Sequence, residues 1–112
     1  MEELIGQFTL RNDYKIFRTK DGYKRVSTKS SQEYVQYISN EIYESAKNQL
    51  SGREWDIKEE AERLKVSAES ENWPIYYGYK FQHFVQDILL VIAANGEADF
   101  DKEGRKYVFT VF

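Results

Sequence analysis

A chain of 112 residues is long enough for one hydrophobic core and too short for two, so we expect a single domain over residues 1–112. Because it contains no cysteine, disulfides and thiolate metal sites are excluded. The net charge of −3 opposes non-specific binding to nucleic acid.

The opening quarter predicts a three-stranded antiparallel meander. Apolar and polar residues alternate over 3–10 and again over 14–20, as in strands with one buried face. Asn12-Asp13 supplies the first turn. Asp21-Gly22 is a strong hairpin signal, because both positions can take a positive φ, and residues 23–28 follow as the returning strand.

Two amphipathic helices are predicted next. Ser30 with Glu33 forms a capping box, and Gly52 is placed to end the first helix. One apolar stripe runs along this predicted helix and consists of Val35, Ile38, Ile42, Ala46 and Leu50. A second helix, with an acidic exposed face, starts at Asp56 and runs to about Ser70.

The segment 81–96 predicts the helix around which the rest of the chain packs. Ile88 to Ala94 has no polar residue, yet it is far shorter than the roughly 20 residues that cross a bilayer. A helix that is apolar on every side belongs in a core. Asn95-Gly96 is a suitable C-terminal end.

A hairpin is predicted at the C-terminus, with strands at 97–101 and 105–112 and a type I turn at Asp101–Gly104. The last strand is apolar on both faces, which indicates an interior position. The expected fold class is therefore α+β: an N-terminal three-stranded antiparallel meander, three helices of which the last is buried, and a C-terminal β-hairpin. The expected core is Phe8, Leu10, Ile16, Val35, Ile38, Ile42, Leu50, Leu64, Phe84, Ile88, Leu89, Val91, Ile92, Val108 and Phe109.

Catalytic chemistry has little support in the sequence. His83 is the sole histidine, and Asp87, one helical turn later, could orient it as a general base. However, no cysteine and no serine in a strand–turn–helix elbow completes a nucleophilic site. A surface histidine is the more common situation, so we expect no enzyme, no catalytic residue, no metal and no cofactor.

The N-terminal residues and the length of the apolar runs indicate where in the cell the protein is expected. Met1 to Gly6 lacks the basic head and apolar stretch of a signal peptide. No apolar run is long enough for a transmembrane helix. We therefore expect a cytoplasmic protein without membrane contact.

Aromatic residues near the acidic second helix indicate a protein partner. Rings rimmed by charge are the usual composition of an interface. The candidate anchors are Trp55, Trp73, Tyr76, Tyr77 and Tyr79. The alternative is that these rings close the core around Pro74. The first hypothesis of function is a non-catalytic protein-interaction or regulatory module, and homo-oligomer formation stays open.

Nucleic-acid binding is the second hypothesis. Residues 11–29 carry seven basic and two acidic side chains, while 30–103 carry seven basic and fifteen acidic ones. Within this basic region, hairpin 14–25 interleaves rings with cations, as sheet surfaces that hold single strands do. The candidates are Tyr14, Lys15, Phe17, Arg18, Lys20, Tyr23, Lys24 and Arg25. The alternative is an edge hairpin whose rings face the core and whose lysines deter aggregation.

The C-terminal half offers a second route to nucleic acid. Glu62-Arg63-Leu64-Lys65-Val66-Ser67, then a helix and the hairpin 99–110, resembles the helix, recognition helix and wing of winged-helix proteins. The likeness covers at most 57–112 and has no diagnostic motif. It departs from that pattern where Trp73-Pro74 interrupts the would-be recognition helix. It implies DNA binding by this half of the chain.

Overall fold

One apolar helix organises the chain. The computed structural model describes residues 2–70, 80–103 and 106–112. Within these ranges, three helices and two antiparallel sheets share one core, which confirms the predicted α+β class. The elements are strands β1 (Glu3–Thr9), β2 (Asp13–Arg18), β3 (Gly22–Lys29) and β4 (Gln32–Ser39), helix α1 (Asn40–Leu50), strand β5 (Glu54–Asp56), helices α2 (Ile57–Ser70) and α3 (Phe81–Ala94), and strands β6 (Ala98–Glu103) and β7 (Lys106–Val111).

Helix α3 is the buried centre that the sequence predicts. Residues 88–92 are each 0 % exposed, and the helix contacts β1 and β2 on one side and β6 and β7 on the other. Its end is a Schellman motif, because the amides of Gly96 and Glu97 donate to the carbonyls of Ala93 and Ile92. Gly96 takes a φ of 77°, as the sequence led us to expect at this position.

The N-terminal sheet has four strands in the order β1-β2-β3-β4, and the predicted three-stranded meander is therefore one strand short. β4 occupies the residues that we assigned to the start of the first helix. Ser30 and Ser31 have φ values of 51° and 64°, so they form a tight turn and not a helix cap. The actual cap is Ser39, whose hydroxyl accepts a 3.2 Å hydrogen bond from the amide of Ile42.

The extra strand changes one predicted core residue. Residues three apart share a helix face but lie on opposite faces of a strand. Ile38 is accordingly buried, while Val35 is 48 % exposed and is not part of the core. Phe8 and Leu10 are half-buried against the core, and the other predicted core residues are buried.

The hairpin between β2 and β3 forms where the sequence places it, but for a different reason. Neither Asp21 nor Gly22 has a positive φ. Instead Gly22 lies against the junction of β4 and α1, where a Cβ atom would be 2.1 Å from the carbonyl oxygen of Ile38. Glycine is required there for close backbone approach.

The second sheet has the order β5-β7-β6, so the last strand is interior, as predicted. β5 is a three-residue strand that the sequence did not reveal. Pairing of β6 with β7 continues to Glu103 and Lys106, so residues 101–103 belong to a strand and not to the predicted turn. Gly104, the last residue of that turn, lies outside the described residues. No helix in the described ranges is long and apolar enough to cross a membrane.

Candidate functional site

The four-stranded sheet has two faces of different character. Its inner face packs on α3, so closely that a Cβ atom on Gly6 would lie 2.7 Å from the Cβ of Ala94. Ile16 and Ile38 are buried on this face. The outer face is instead marked by large apolar side chains that are half exposed: Leu4 at 50 %, Val35 at 48 % and Tyr37 at 59 %.

The strand register divides the predicted basic hairpin between these faces. Directly paired residues of an antiparallel sheet share a face. The inner face takes Tyr14, Arg18, Tyr23 and Arg25, while Lys15, Phe17 and Lys24 lie on the outer face and Lys20 lies in the connecting turn. The eight residues therefore do not form a single surface.

On the outer face, the register builds two short rows. One row runs across the sheet as Leu4, Phe17, Lys24 and Tyr37, and the next contains Lys15, Val26 and Val35. The Nζ atom of Lys24 lies 4.7 Å from the centre of the Phe17 ring and 2.6 Å from a carboxylate oxygen of Glu2. The positive charge of Lys24 is thus compensated by Glu2.

Strand β4 forms one edge of this sheet. Natural proteins usually protect such edges with lysine, proline or a bulge, since free strand edges pair with other chains. The opposite edge has such a feature, because the register of β1 shifts between Leu4 and Gly6. β4 has no lysine and no proline, and its single charged residue is Glu33. Within the described residues, β4 is therefore an edge that lacks these protective features and has a partly apolar outer side.

On the inner face, Arg18 and Tyr23 stabilise the end of α3. The side chain of Asn95 donates 3.1 Å hydrogen bonds to the hydroxyls of Tyr23 and Tyr43, and it accepts one of 3.1 Å from Arg18. Burial raises the pKa of Tyr43 above its ordinary value, although the hydrogen bond from Asn95 lowers it. These residues have a structural role in the described fold.

A cavity of about 770 Å³ lies between the inner face of the sheet and the first half of α3. Its polar floor is the ion pair of Arg25 with Asp87: Nε and Nη2 donate to the two carboxylate oxygens at 3.0 and 3.1 Å. Arg25 Nη1 also donates to the hydroxyl of Ser27 at 2.7 Å. Both charged side chains are nearly enclosed, at 12 % and 2 % exposed.

His83 also lines this cavity, from the exposed side of α3. The sequence offered Asp87 as a group to orient His83, but both carboxylate oxygens of Asp87 accept hydrogen bonds from Arg25. A carboxylate held in this bidentate way is fixed by the arginine fork. Asp87 thus pairs with a cation from the sheet.

Of the five predicted anchors of a protein interface, Trp55 is the one that lies among the described residues. Trp55 is a core residue, 2 % exposed, whose indole N–H donates a 2.7 Å hydrogen bond to the carbonyl of Leu50. It does not provide the exposed ring that the sequence suggested. Trp73, Tyr76, Tyr77 and Tyr79 lie outside the described residues.

The winged-helix likeness gains little from the described geometry. A hairpin does follow α3, but residues 62–67 are interior to the continuous helix α2. Helix α3 has eight buried side chains, so most of its surface is occupied by the core. A recognition helix needs a free face to enter a groove.

Sequence reasoning missed two features: the free edge of β4 and the cavity. A signal for the first was present, since Tyr34-Val35-Gln36-Tyr37-Ile38 has the aromatic and β-branched composition of a strand. The capping pattern at Ser30 indicated a helix over the same residues instead. No signal existed for the cavity, because its walls come from the turn between β1 and β2, from β2 to β4, from β5 and the start of α2, and from α3 and β7.

Comparisons with known proteins leave the fold and the site to be judged on their own geometry. No protein-family model, no curated protein and no solved structure matches the chain. Among the described residues, no group of three or more histidine, aspartate or glutamate side chains is arranged to hold a metal ion.

Proposed function

We propose that this chain is a non-catalytic protein-binding module that pairs the free edge of β4 with an extended segment of a protein. The observation that carries the proposal is the half-exposed pair Val35 and Tyr37 on an unprotected edge strand. Strand addition draws affinity from main-chain hydrogen bonds and specificity from alternate side chains. β4 offers both main-chain hydrogen-bonding groups at its edge and alternate side chains on its two faces.

The composition of this edge favours protein over other partners. Tyrosine is enriched in interface cores, where it combines a large apolar area with a hydrogen-bonding group. Tyr34 and Tyr37 lie on opposite sides of β4, each about half exposed. An added strand would therefore be contacted by a ring on either face.

A second copy of the chain satisfies the same chemistry. If β4 paired with itself about Gln36, Val35 would lie opposite Tyr37 of the second copy, and symmetry would repeat the contact. The carbonyl of Tyr37 now accepts a 3.3 Å hydrogen bond from the side chain of Gln36, which would have to move aside. A self-pair and a foreign strand differ only in the source of the extended segment.

The test compares Val35→Lys with the wild type. A lysine at this edge position should block strand addition. Val66→Lys on α2 is the matched control, because Val66 is 71 % exposed. Sedimentation over a range of concentrations detects self-pairing, and selection from a library of short extended peptides detects a foreign strand. Amide exchange over residues 33–37 then locates the binding edge.

The proposal is supported if a dimer or a selected peptide protects the β4 amides and is lost in Val35→Lys but kept in Val66→Lys. It fails if the protein stays monomeric and no selected peptide distinguishes the two variants. It also fails if the protected amides lie on another element.

Single-stranded nucleic acid is the second candidate for the same sheet. Lys15 and the ring of Phe17 on the outer face favour it, because cations beside a ring suit a strand of bases. Against it, Lys24 is paired with Glu2, and Asp13 and Glu33 lie at the other end of this face. Binding of labelled oligonucleotides with a steep salt dependence, abolished by Lys15→Glu, would identify this function instead.

A further inference from the structure

The strand register places a small residue between two tyrosines on the cavity side of the sheet, and we call the space between these tyrosines the slot. Tyr14, Ser27 and Tyr34 are directly paired across β2, β3 and β4, so they form one row on this face. Neighbouring strands lie about 4.8 Å apart, which separates the backbones of the outer two residues by roughly 10 Å. A planar group needs about 7 Å between two rings at van der Waals contact. Ser27, between the two tyrosines, has a small side chain whose hydroxyl accepts a hydrogen bond from Arg25.

The end of the slot is positively charged. Arg11 and Lys29, at neighbouring ends of the strands, line the cavity and have exposed side chains. Among the described lining residues, the other acidic one besides Asp87 is Asp56, and Asp87 is paired with Arg25. The described part of the lining therefore has an excess of positive charge in a chain whose net charge is −3. Such a concave region attracts anions.

The wall opposite the sheet is polar. Gln82, His83 and Gln86 of α3 line the cavity, and together they supply hydrogen-bond donors and acceptors. The volume, about 770 Å³, lies within the range of about 300–1,000 Å³ in which proteins hold small ligands. An apolar ligand would leave these groups unsatisfied, whereas a polar ring would pair with them.

The ion pair gives this region a fixed shape. Arg25 donates to Asp87 of α3, to the hydroxyl of Ser27 and, at 3.3 Å, to the carbonyl of Tyr34. Arg25 thus links α3 to β3, which carries Ser27 at the base of the slot, and to β4, which carries Tyr34 at one side of it. Arg25 is a positioning residue, because its hydrogen bonds are directed to the protein.

We infer that this cavity binds a small anion that carries a planar, hydrogen-bonding ring, the chemistry of a nucleoside monophosphate. The ring lies between Tyr14 and Tyr34 above Ser27, with its edge toward the glutamines of α3. The anionic group lies at Arg11 and Lys29. This site faces away from the outer side of the sheet and does not depend on strand addition at β4.

Isothermal titration and amide NMR shifts test the inference with five probes. Adenosine monophosphate and uridine monophosphate combine ring and anion, adenosine has the ring alone, and inorganic phosphate has the anion alone. A short oligothymidylate distinguishes a free nucleotide from a nucleic-acid strand. We expect the two monophosphates to bind at least tenfold more tightly than adenosine or phosphate, and to shift the amides of Ser27, Lys29 and Gln86.

Variants on opposite faces provide the controls. Lys29→Glu should weaken the binding of the monophosphates roughly tenfold to a hundredfold, the usual effect of a lost charged hydrogen bond. Tyr34→Ala should weaken it roughly tenfold through lost stacking. Lys15→Glu and Tyr37→Ala, on the outer face, should leave the affinity unchanged, as should the β4 block Val35→Lys.

Three results overturn the inference. One is that no monophosphate binds at millimolar concentration while the protein is folded. Another is that phosphate alone binds as tightly as the monophosphates, which would mean attraction of any anion. The third is that Lys15→Glu or Tyr37→Ala weakens binding as much as the inner-face variants. Tighter binding of the oligothymidylate, lost in Tyr34→Ala, would show that the same slot holds a base of a strand.

Discussion

Arg25 of β3 and Asp87 of α3 form a bidentate ion pair that joins the four-stranded sheet to the central helix. The two nitrogen–oxygen distances are 3.0 and 3.1 Å, and the Asp87 side chain is 2 % exposed. A buried pair of this kind is not in itself evidence of high stability, because desolvation offsets much of the attraction. It does make each partner depend strongly on the other.

Removing one member of this pair should therefore destabilise the protein more than removing both. We expect Asp87→Asn or Arg25→Met to lower the free energy of unfolding by about 3–5 kcal/mol, because an unpaired charge or polar group stays buried. The double variant Arg25→Met/Asp87→Leu should lose much less. Urea denaturation measures all three, and a double variant as unstable as the sum of the single ones contradicts the expectation.

An exposed ion pair on the other face provides the control. Lys24 binds Glu2, whose side chain is 45 % exposed. Glu2→Gln should change the free energy of unfolding by less than about 1 kcal/mol, since surface ion pairs contribute little.

The turn between β3 and β4 should gain stability from glycine. Ser31 has a φ of 64°, in the left-handed region that costs an ordinary residue about 1 kcal/mol. We expect Ser31→Gly to raise the free energy of unfolding by about 0.5 kcal/mol, part of the gain being offset by the freer unfolded chain. Ser45→Gly, within α1, should instead lower it by about 0.5–1 kcal/mol. Loss of stability in Ser31→Gly would indicate a helix at this position.

The protein should lose stability in alkaline solution. Burial raises the pKa of Tyr43 above 10.0. The pKa of Lys47 is raised above 10.5 by the hydrogen-bonded ion pair that Lys47 forms with Glu97. Above these ordinary values the unfolded chain releases protons that the folded protein retains, so the free energy of unfolding falls as pH rises through the folded pKa values. Urea midpoints at a series of pH values from 8 upward measure the decline.

The variant Tyr43→Phe distinguishes the contributions of Tyr43 and Lys47 to the loss of stability at alkaline pH. It removes one titrating group and should make the alkaline decline shallower without abolishing it, because Lys47 still contributes. An identical slope in the variant would show that Tyr43 does not contribute. Asn95→Ala should raise the pKa of Tyr43 further, since the hydrogen bond from Asn95 lowers it, and ultraviolet titration of the phenolate reports this shift.

A charge in the centre of α3 should prevent folding. Ile88 is 0 % exposed, so Ile88→Asp would bury a carboxylate without a partner. We expect no cooperative thermal transition in circular dichroism. Val66→Asp, at a position 71 % exposed on α2, should melt like the wild type. A cooperative transition in Ile88→Asp would show that this helix is not the centre of the core.

What the sequence determined by itself depended on local pattern. The unbroken apolar run of 88–94 is stable in water only when it is buried, so the position of α3 in the core followed from composition alone. The alternation in 3–28 and in the last strand likewise predicted β-structure, because the period of two is local. The predicted capping box at Ser30 failed because a short polar motif is weaker evidence than the strand composition that follows it.

The tertiary structure alone decided which side chains meet. Arg25 and Asp87 are 62 positions apart, and Asn95 reaches Tyr23 across 72, so no local pattern indicates either contact. The pleat of β2 places Lys15 and Phe17 on the opposite face of the sheet from Tyr14, although all three belong to this one short strand. Strand pairing assigns alternate residues to opposite faces, and only the packing of α3 on one face determined which of them form the cavity and which face outward.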